Sequence, residues 1–173
     1  MTGKIIGLGS YLPERILTND DLSKMVDTND EWITERTGIK ARRISDPLTD
    51  KPSQMVVRAA LQAVEDAGID PKELDLIVTA STTSDLMFPT LSCVIHRALE
   101  VSENCGTFDV NSACPGWLAA YNAAQSLIES GNAKLVLVAG VECTSNFVNW
   151  EDRGQCILFG VGAGAAILRA EEG

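Results

Sequence analysis

The chain has 173 residues, 45% of them hydrophobic and 22% charged, with a net charge of −10 at neutral pH. That length suffices for one domain with a sizeable core, while the acidity weighs against general nucleic-acid binding and no apolar run is long enough for a membrane span. Five cysteines, an odd number with no Cys-x-x-Cys pair, weigh against a disulfide framework or a zinc site; with no basic, apolar and cleavage segments in series at the start, they fit a reduced, cytoplasmic setting.

In chain order, Lys4 to Gly9 reads as a first strand, closed by the Gly-Ser-Tyr-Leu-Pro turn that ends at Pro13. Thr18 and Asn19 are placed to cap a short helix through Val26. A second helix is predicted to start at Thr28, with Glu31 three residues on completing a capping box, and to stop at Gly38. Arg36, Lys40, Arg42 and Arg43 form a basic island with no acid between them. It is either a solvated face or a patch for phosphates or an acidic carrier protein. Ser53 is the predicted cap of a longer amphipathic helix carrying Met55, Val56, Ala59, Ala60, Ala63, Val64 and Ala67, which Gly68 stops. Leu76 to Ala80 is a buried strand by its continuous apolar, β-branched character; a polar loop, Ser81 to Asp85, leads to a helix beginning near Pro89 that holds His96, the single histidine.

Gly106 to Val110 reads as a short strand that runs almost directly into a helix. Pro115 suits a first helical turn, Leu118, Ala119, Ala120, Ala123, Ala124 and Leu127 continue it, and Gly131 ends it. Cys114 therefore falls at or beside the N-cap, where unpaired N–H groups and the helix dipole favour negative charge on sulfur. A sulfur so placed is a nucleophile suited to acyl transfer; the alternative is a buried structural cysteine. Leu135 to Val141 is a further apolar strand, and Cys156 to Phe159 and Ala163 to Leu168 read as two strands joined around Val161. Gly160, Gly162 and Gly164 lack the full Gly-x-Gly-x-x-Gly spacing and lead into a strand, which rejects a dinucleotide loop. Strands alternating with helices, apolar on both faces, predict an α/β sheet covered on both sides. The Ala-rich helix after Cys114 is apolar nearly all round and is expected to be buried all round, so something beyond a three-layer domain must cover it.

The stretch Phe108-Asp-Val-Asn-Ser-Ala-Cys-Pro-Gly-Trp117 resembles the nucleophile segment of the thiolase-fold condensing enzymes, and more narrowly of β-ketoacyl-acyl-carrier-protein synthase III. Ile6-Gly-Leu-Gly-Ser-Tyr-Leu-Pro-Glu14, Asp27-Thr-Asn-Asp-Glu-Trp-Ile33, Arg36-Thr-Gly-Ile39, Phe88-Pro89, Asp152-Arg153 and Leu158-Phe-Gly-Val-Gly-Ala-Gly-Ala-Ala166 come in the family's order. The Asp-Glu-Trp-Ile and Arg-Thr-Gly-Ile pair is specific to the synthase III branch. The resemblance implies an α/β, thiolase-like fold. In it, residues 1–173 are the N-terminal αβα half of a five-layer αβαβα molecule, with a mixed sheet and the Ala-rich nucleophile helix buried between halves. The C-terminal half is then absent from this chain: a separate chain, a cleaved fragment or a truncation.

The resemblance also implies roles. Cys114 takes an acyl group from acyl-CoA, a substrate rather than a cofactor, for decarboxylative condensation with malonyl-acyl-carrier protein, initiating fatty acid or related acyl-chain synthesis. Trp32 stacks on the CoA adenine, Arg36 and Arg153 lie around that nucleotide, and Phe88 crosses a homodimer interface to line the partner's acyl pocket. On the residues alone, Trp32 reads as helix core and Phe88 as packing at a helix start. The family's histidine and asparagine that activate malonyl decarboxylation belong to the C-terminal half; His96 reads as a packing or surface residue. Pro115 and Val161 depart from the family pattern, the second replacing an aspartate between the glycines. Two further readings stand beside condensation: acyl transfer without it, and a non-catalytic assembly subunit pairing with a complete homologue.

Overall fold

The computed structural model describes residues 1–172. The chain runs β1 (Thr2–Tyr11), β2 (Ile16–Thr18), α1 (Asn19–Leu22), α2 (Asp30–Thr37), β3 (Ala41–Arg43), α3 (Pro52–Ala67) and β4 (Leu76–Ala80). It continues through α4 (Leu91–Ala98), β5 (Gly106–Val110), α5 (Gly116–Glu129), β6 (Leu135–Cys143), α6 (Arg153–Cys156) and β7 (Val161–Glu171). Five strands make one mixed sheet in the order β1-β7-β6-β4-β5. β4 is parallel to both β5 and β6, and β7 runs antiparallel to β6 and to β1.

Every residue of β4 is buried, as a strand covered on both faces requires. Alternate side chains sort to opposite sides. Ile77, Leu137, Ala139 and Ile167 pack under α3 and α4 with Met55, Ala59, Leu91 and Ile95. Leu76, Val78, Val136, Val138 and Leu168 meet Ala120, Ala124 and Ile128 of α5. The result is the expected α/β/α sandwich, with α3 and α4 on one face and α5 on the other. α3 approaches β1 closely because Gly7 and Gly9 carry no side chain: a Cβ on Gly9 would run into the Ala59 carbonyl, and one on Gly7 would lie 2.6 Å from the Ala67 nitrogen. A third cluster, Leu22, Ile33, Cys156 and Ile157, fastens α1, α2 and α6 beside the β2–β3 ribbon.

Several local expectations are corrected. Asn29, not Thr28, caps α2, its carboxamide oxygen accepting from Trp32 N–H at 2.8 Å; Gly38 stops the helix in the left-handed region at φ 71°. α1 ends at Leu22 rather than Val26, where the Ser23 hydroxyl donates to the Asp20 carbonyl. α3 is capped at Lys51 with Pro52 as its first residue. Ser53 instead gives its N–H and hydroxyl to the two Asp85 oxygens, at 2.8 and 2.7 Å. Residues 156–159 are no strand: Asp152 caps the single-turn α6, and four apolar residues cannot separate strand from buried helix by periodicity. Only the second predicted strand forms, lengthened to β7 (Val161–Glu171). Within this chain α5 is covered on one face only, the other being the face for which cover beyond three layers is expected. Gly116, Ala120, Ala124 and Ile128 face the sheet, while Leu118 stays 59% exposed and Asn122 and Ser126 on its line face solvent.

Gly9→Ala forces the α3 backbone off β1, and the expected loss is about 3 kcal/mol of folding free energy. Urea unfolding followed by far-UV circular dichroism checks it; an unchanged midpoint would show that α3 can slide.

Candidate active site

Parallel β4, β5 and β6 bring their C-terminal ends to one edge, the edge at which open α/β sheets present their ligands. The chain leaves β5 at Val110 and re-enters regular structure at Gly116, so Cys114 sits on the corner, immediately before the N-cap Pro115. Ala113 turns that corner with φ at 47°, a left-handed conformation that costs an L-residue roughly 1–2 kcal/mol. The corner is closed by Gly116 N–H donating to the Ala113 carbonyl at 2.7 Å and Ala119 N–H to the Pro115 carbonyl at 2.9 Å. The outcome is an exposed Cys114 thiol, whereas Cys105, Cys143 and Cys156 are buried and Cys93 is half-buried. The reading of Cys114 as a buried structural cysteine is thereby removed. Burial pushes the Cys105 thiol up to about 11 and raises those of Cys143 and Cys156. Hydroxyls of Thr107 and Thr90 on the Cys93 sulfur lower its pKa.

Cys114 opens onto a cleft of about 360 Å³ whose walls include Leu12, Trp117, Gly140 and Gly162. The glycines make its room: a Cβ on Gly140 would stand 3.0 Å from the Trp117 ring, and one on Gly162 3.0 Å from Leu12. Glu142 also lines the cleft, a residue the sequence reading missed. Its carboxylate accepts from Thr82 N–H at 2.8 Å and from the Thr82 and Thr83 hydroxyls at 2.9 and 2.7 Å. It clamps the loop after β4 onto the end of β6. The available signal was its place directly after an apolar strand, where an acid must find donors. Gly160, Gly162 and Gly164 do lead into a strand, β7, and Val161 is buried in the core rather than facing a ligand.

A second constellation forms on the satellite cluster. The guanidinium carbons of Arg36 and Arg153 lie 4.3 and 4.4 Å from the Trp32 ring centroid, within cation–π range. Residues of α2 and α6, more than a hundred positions apart, thus meet on one indole. Arg153 also donates to the Asp27 carbonyl at 3.1 Å. Trp32 is only partly buried, so the reading as helix core is half right. The basic island is not one patch. Arg36 and Lys40 are exposed, Lys40 pairing with Asp30 at 3.3 Å. Arg42 turns inward and Arg43 donates to the Pro13 carbonyl at 2.8 Å.

Phe88 is 85% exposed beside a fully exposed Met87, on the loop between β4 and α4. It packs on no helix start, which corrects that reading. The His96 Nε2 lies 3.2 Å from the Ser102 carbonyl, a contact that ties α4 to the turn after it, as a packing residue does. Among the described residues no three His, Cys, Asp or Glu side chains converge to hold a metal ion, and no helix is long and apolar enough to cross a membrane.

A mixed sheet between helix layers, with a cysteine at the strand-to-helix corner, defines a thiolase-like half-fold. The structure of 3-oxoacyl-[acyl-carrier-protein] synthase III from Aquifex aeolicus superposes with a TM-score of 0.93 at 47% identity, covering 99% of this chain and 55% of that one. A priming β-ketosynthase of the R1128 polyketide pathway superposes at 0.92 with 38% identity, over 98% of this chain and 50% of that one. In sequence, the β-ketoacyl-[acyl-carrier-protein] synthase III of Clostridium acetobutylicum is 48% identical over 166 residues, 96% of this chain and 50% of the relative. Residues 108–173 match the family model described as 3-oxoacyl-[acyl-carrier-protein (ACP)] synthase III. The chain is a homologue of 3-oxoacyl-[acyl-carrier-protein] synthase III and spans about half the length of the relatives it matches.

The exposure pattern predicts selective alkylation. With iodoacetamide near neutral pH, Cys114 labels first, Cys93 labels slowly, and Cys105 stays unmodified in the folded protein because its thiol remains protonated until about pH 11. Peptide mapping by mass spectrometry checks the order. Label on Cys105 before Cys114 would contradict the geometry.

Proposed function

We propose that this chain accepts an acyl group from an acyl-CoA on Cys114. The observation that carries the reading is the cysteine itself: an exposed thiol thrust from a strained strand-to-helix corner into a cleft cleared by glycines. The Cys114 sulfur attacks the thioester carbonyl, a new carbon–sulfur bond forms, and the bond to CoA breaks. The departing CoA sulfur takes up the proton that Cys114 gives up. Exchange of one thioester for another is close to isoenergetic, so a sulfur nucleophile can both load and release the group.

The Trp32, Arg36 and Arg153 cluster is proposed as the seat of the CoA nucleotide. A flat indole offers a stacking surface for adenine, and the guanidiniums match phosphate oxygens; an adenine on Trp32 displaces a guanidinium from one face and gains its own stacking there. Phe88 is proposed to reach a second copy of the chain, where an exposed aromatic beside an exposed Met would find cover. Homology supports the wider family chemistry, a transferase acting on acyl-CoA and acyl-carrier-protein thioesters. In the full reaction proposed here, malonyl-acyl-carrier protein loses CO2, the electron pair left on carbon attacks the Cys114 thioester, and the Cys114 sulfur departs. That step is proposed for this half joined to a C-terminal half that supplies a histidine and an asparagine. His96 already contacts the Ser102 carbonyl and belongs to the scaffold.

Intact-mass spectrometry after incubation with acetyl-CoA and longer acyl-CoAs, beside Cys114→Ala, tests the loading step. The expected outcome is one acyl adduct that disappears in the variant. A chain that stays unmodified alone and also when joined to a C-terminal half would move the assembly-subunit reading ahead of catalysis.

A further inference from the structure

Arg42 is the most deeply buried cation among the described residues, 6% exposed, and no carboxylate among them pairs with it. Its guanidinium spends itself on neutral acceptors: the Leu17 carbonyl at 3.3 Å, the Asn19 side-chain oxygen at 2.9 Å and the Ile157 carbonyl at 2.9 Å. Its Nε is buried without a partner among the described residues. Burying such an ion costs more than burying an apolar side chain would, beside an apolar cluster that includes Ile157. What the cation provides is connection.

Each of its acceptors lies on a different short piece of chain. Ile157 is the C-cap of α6, one turn past Arg153. Asn19 opens α1, is itself 1% exposed, and passes the contact on: its amide donates to Asp30 at 2.8 Å and to the Ile39 carbonyl at 2.7 Å. Asp30 is the first residue of α2, two positions before Trp32. A continuous polar relay therefore runs Ile157–Arg42–Asn19–Asp30, and its two ends carry Arg153 and Trp32. The pieces it joins have three, four or eight residues each, too short to hold a mutual orientation by their own backbone cooperativity.

We propose that Arg42 and Asn19 are positioning residues for nucleotide recognition, setting α6 against α2 so that the Arg153 guanidinium and the Trp32 indole face one ligand. The inference rests on the reading that this cluster receives the CoA nucleotide. It differs from a purely structural role in that it ties one interaction, not overall stability, to affinity.

The test uses the whole chain with CoA as the probe, and reads the three indole N–H signals by NMR, Trp32→Phe assigning the one that matters. For Arg42→Met the Trp32 signal moves while that of Trp117, across the sheet on α5, stays, and CoA affinity falls by ~10-fold, the scale of one lost desolvated cation–π contact. Arg42→Lys does not restore it, because an ammonium lacks the fork that reaches separate acceptors. Asn19→Ala cuts the relay without removing the cation, and carries the test if Arg42→Met fails to fold. Leu22→Val, which loosens the same cluster apolarly, lowers Tm but leaves CoA affinity unchanged. An unmoved Trp32 signal with unchanged affinity overturns the proposal, as does an affinity loss in Leu22→Val matching its stability loss. If the wild-type chain does not bind CoA, the nucleotide reading falls, and the Trp32 signal alone decides the positioning.

Discussion

Three parallel strands in register, with β4 at their centre buried on both faces, cannot end at random. β4, β5 and β6 share a register in which Ala80 stands between Val110 and Gly140, so the chain must leave all three at the same edge. Each exit then carries something different: the Glu142-clamped loop and the exposed Phe88 after β4, the Cys114 corner after β5, the path to α6 and Arg153 after β6. The candidate site is a consequence of that shared edge. Strand β7 returns antiparallel and lays Gly162 and Gly164 at the same level, removing side-chain bulk where the cleft has to open.

Small residues set the distances in this fold. Gly7 and Gly9 let α3 close on β1 through Ala59, Ala63 and Ala67, and Ala120 and Ala124 do the same for α5 on the other face. Tight layers on both sides keep the two ends of the Cys114 corner, β5 and α5, from moving apart. Under that restraint the left-handed Ala113 persists, because relaxing it would require one layer to lift from the sheet. The strain and the exposed sulfur are two aspects of one geometry.

Much of this could be read from residues. Strand β4 falls where its continuous apolar, β-branched run puts it, since a fully buried strand leaves a continuous signature; β5, half-exposed at the sheet edge, falls at the short run from Gly106 to Val110. Gly38 and Gly68 end their helices in the left-handed region. Cys114 stood out at the strand-to-helix corner from the residues themselves, whereas Trp32, Arg36 and Arg153 were singled out only through motif resemblance; nothing in composition or spacing brings Arg153 to an indole on α2. What failed did so for local reasons. Thr28 and Asn29 are both competent caps and one residue apart, so the better reach of the carboxamide decided. The run Cys156 to Phe159 is short enough to be strand or helix. Glu142 and Arg42 were not legible because their importance lies in partners, three hydroxyl and amide donors for one, carbonyls from two distant segments for the other. The open face of α5 is the face for which the sequence called for cover beyond a three-layer unit, because a helix apolar nearly all round says what it wants to bury and not whether the chain in hand supplies the cover.

The two constellations rest on supports of different stiffness. Cys114 stands on a sheet whose strands cross-brace one another, with helix layers on both faces. The Trp32 cluster stands on pieces of three to eight residues, joined by a small apolar cluster and a buried polar relay. The acyl transfer proposed at Cys114 would need its reacting atoms held to a fraction of an ångström, which suits the stiff edge. The proposed recognition of a long, flexible thioester at the Trp32 cluster would need only a firm hold at its far end. A hold made of indole and guanidinium groups tolerates small displacements, because charge attraction falls off gently with distance whereas bond formation does not. The proposed division follows from topology: the sheet edge has room for the proposed chemistry, and the short pieces α2 and α6 beside the β2–β3 ribbon would build the handle.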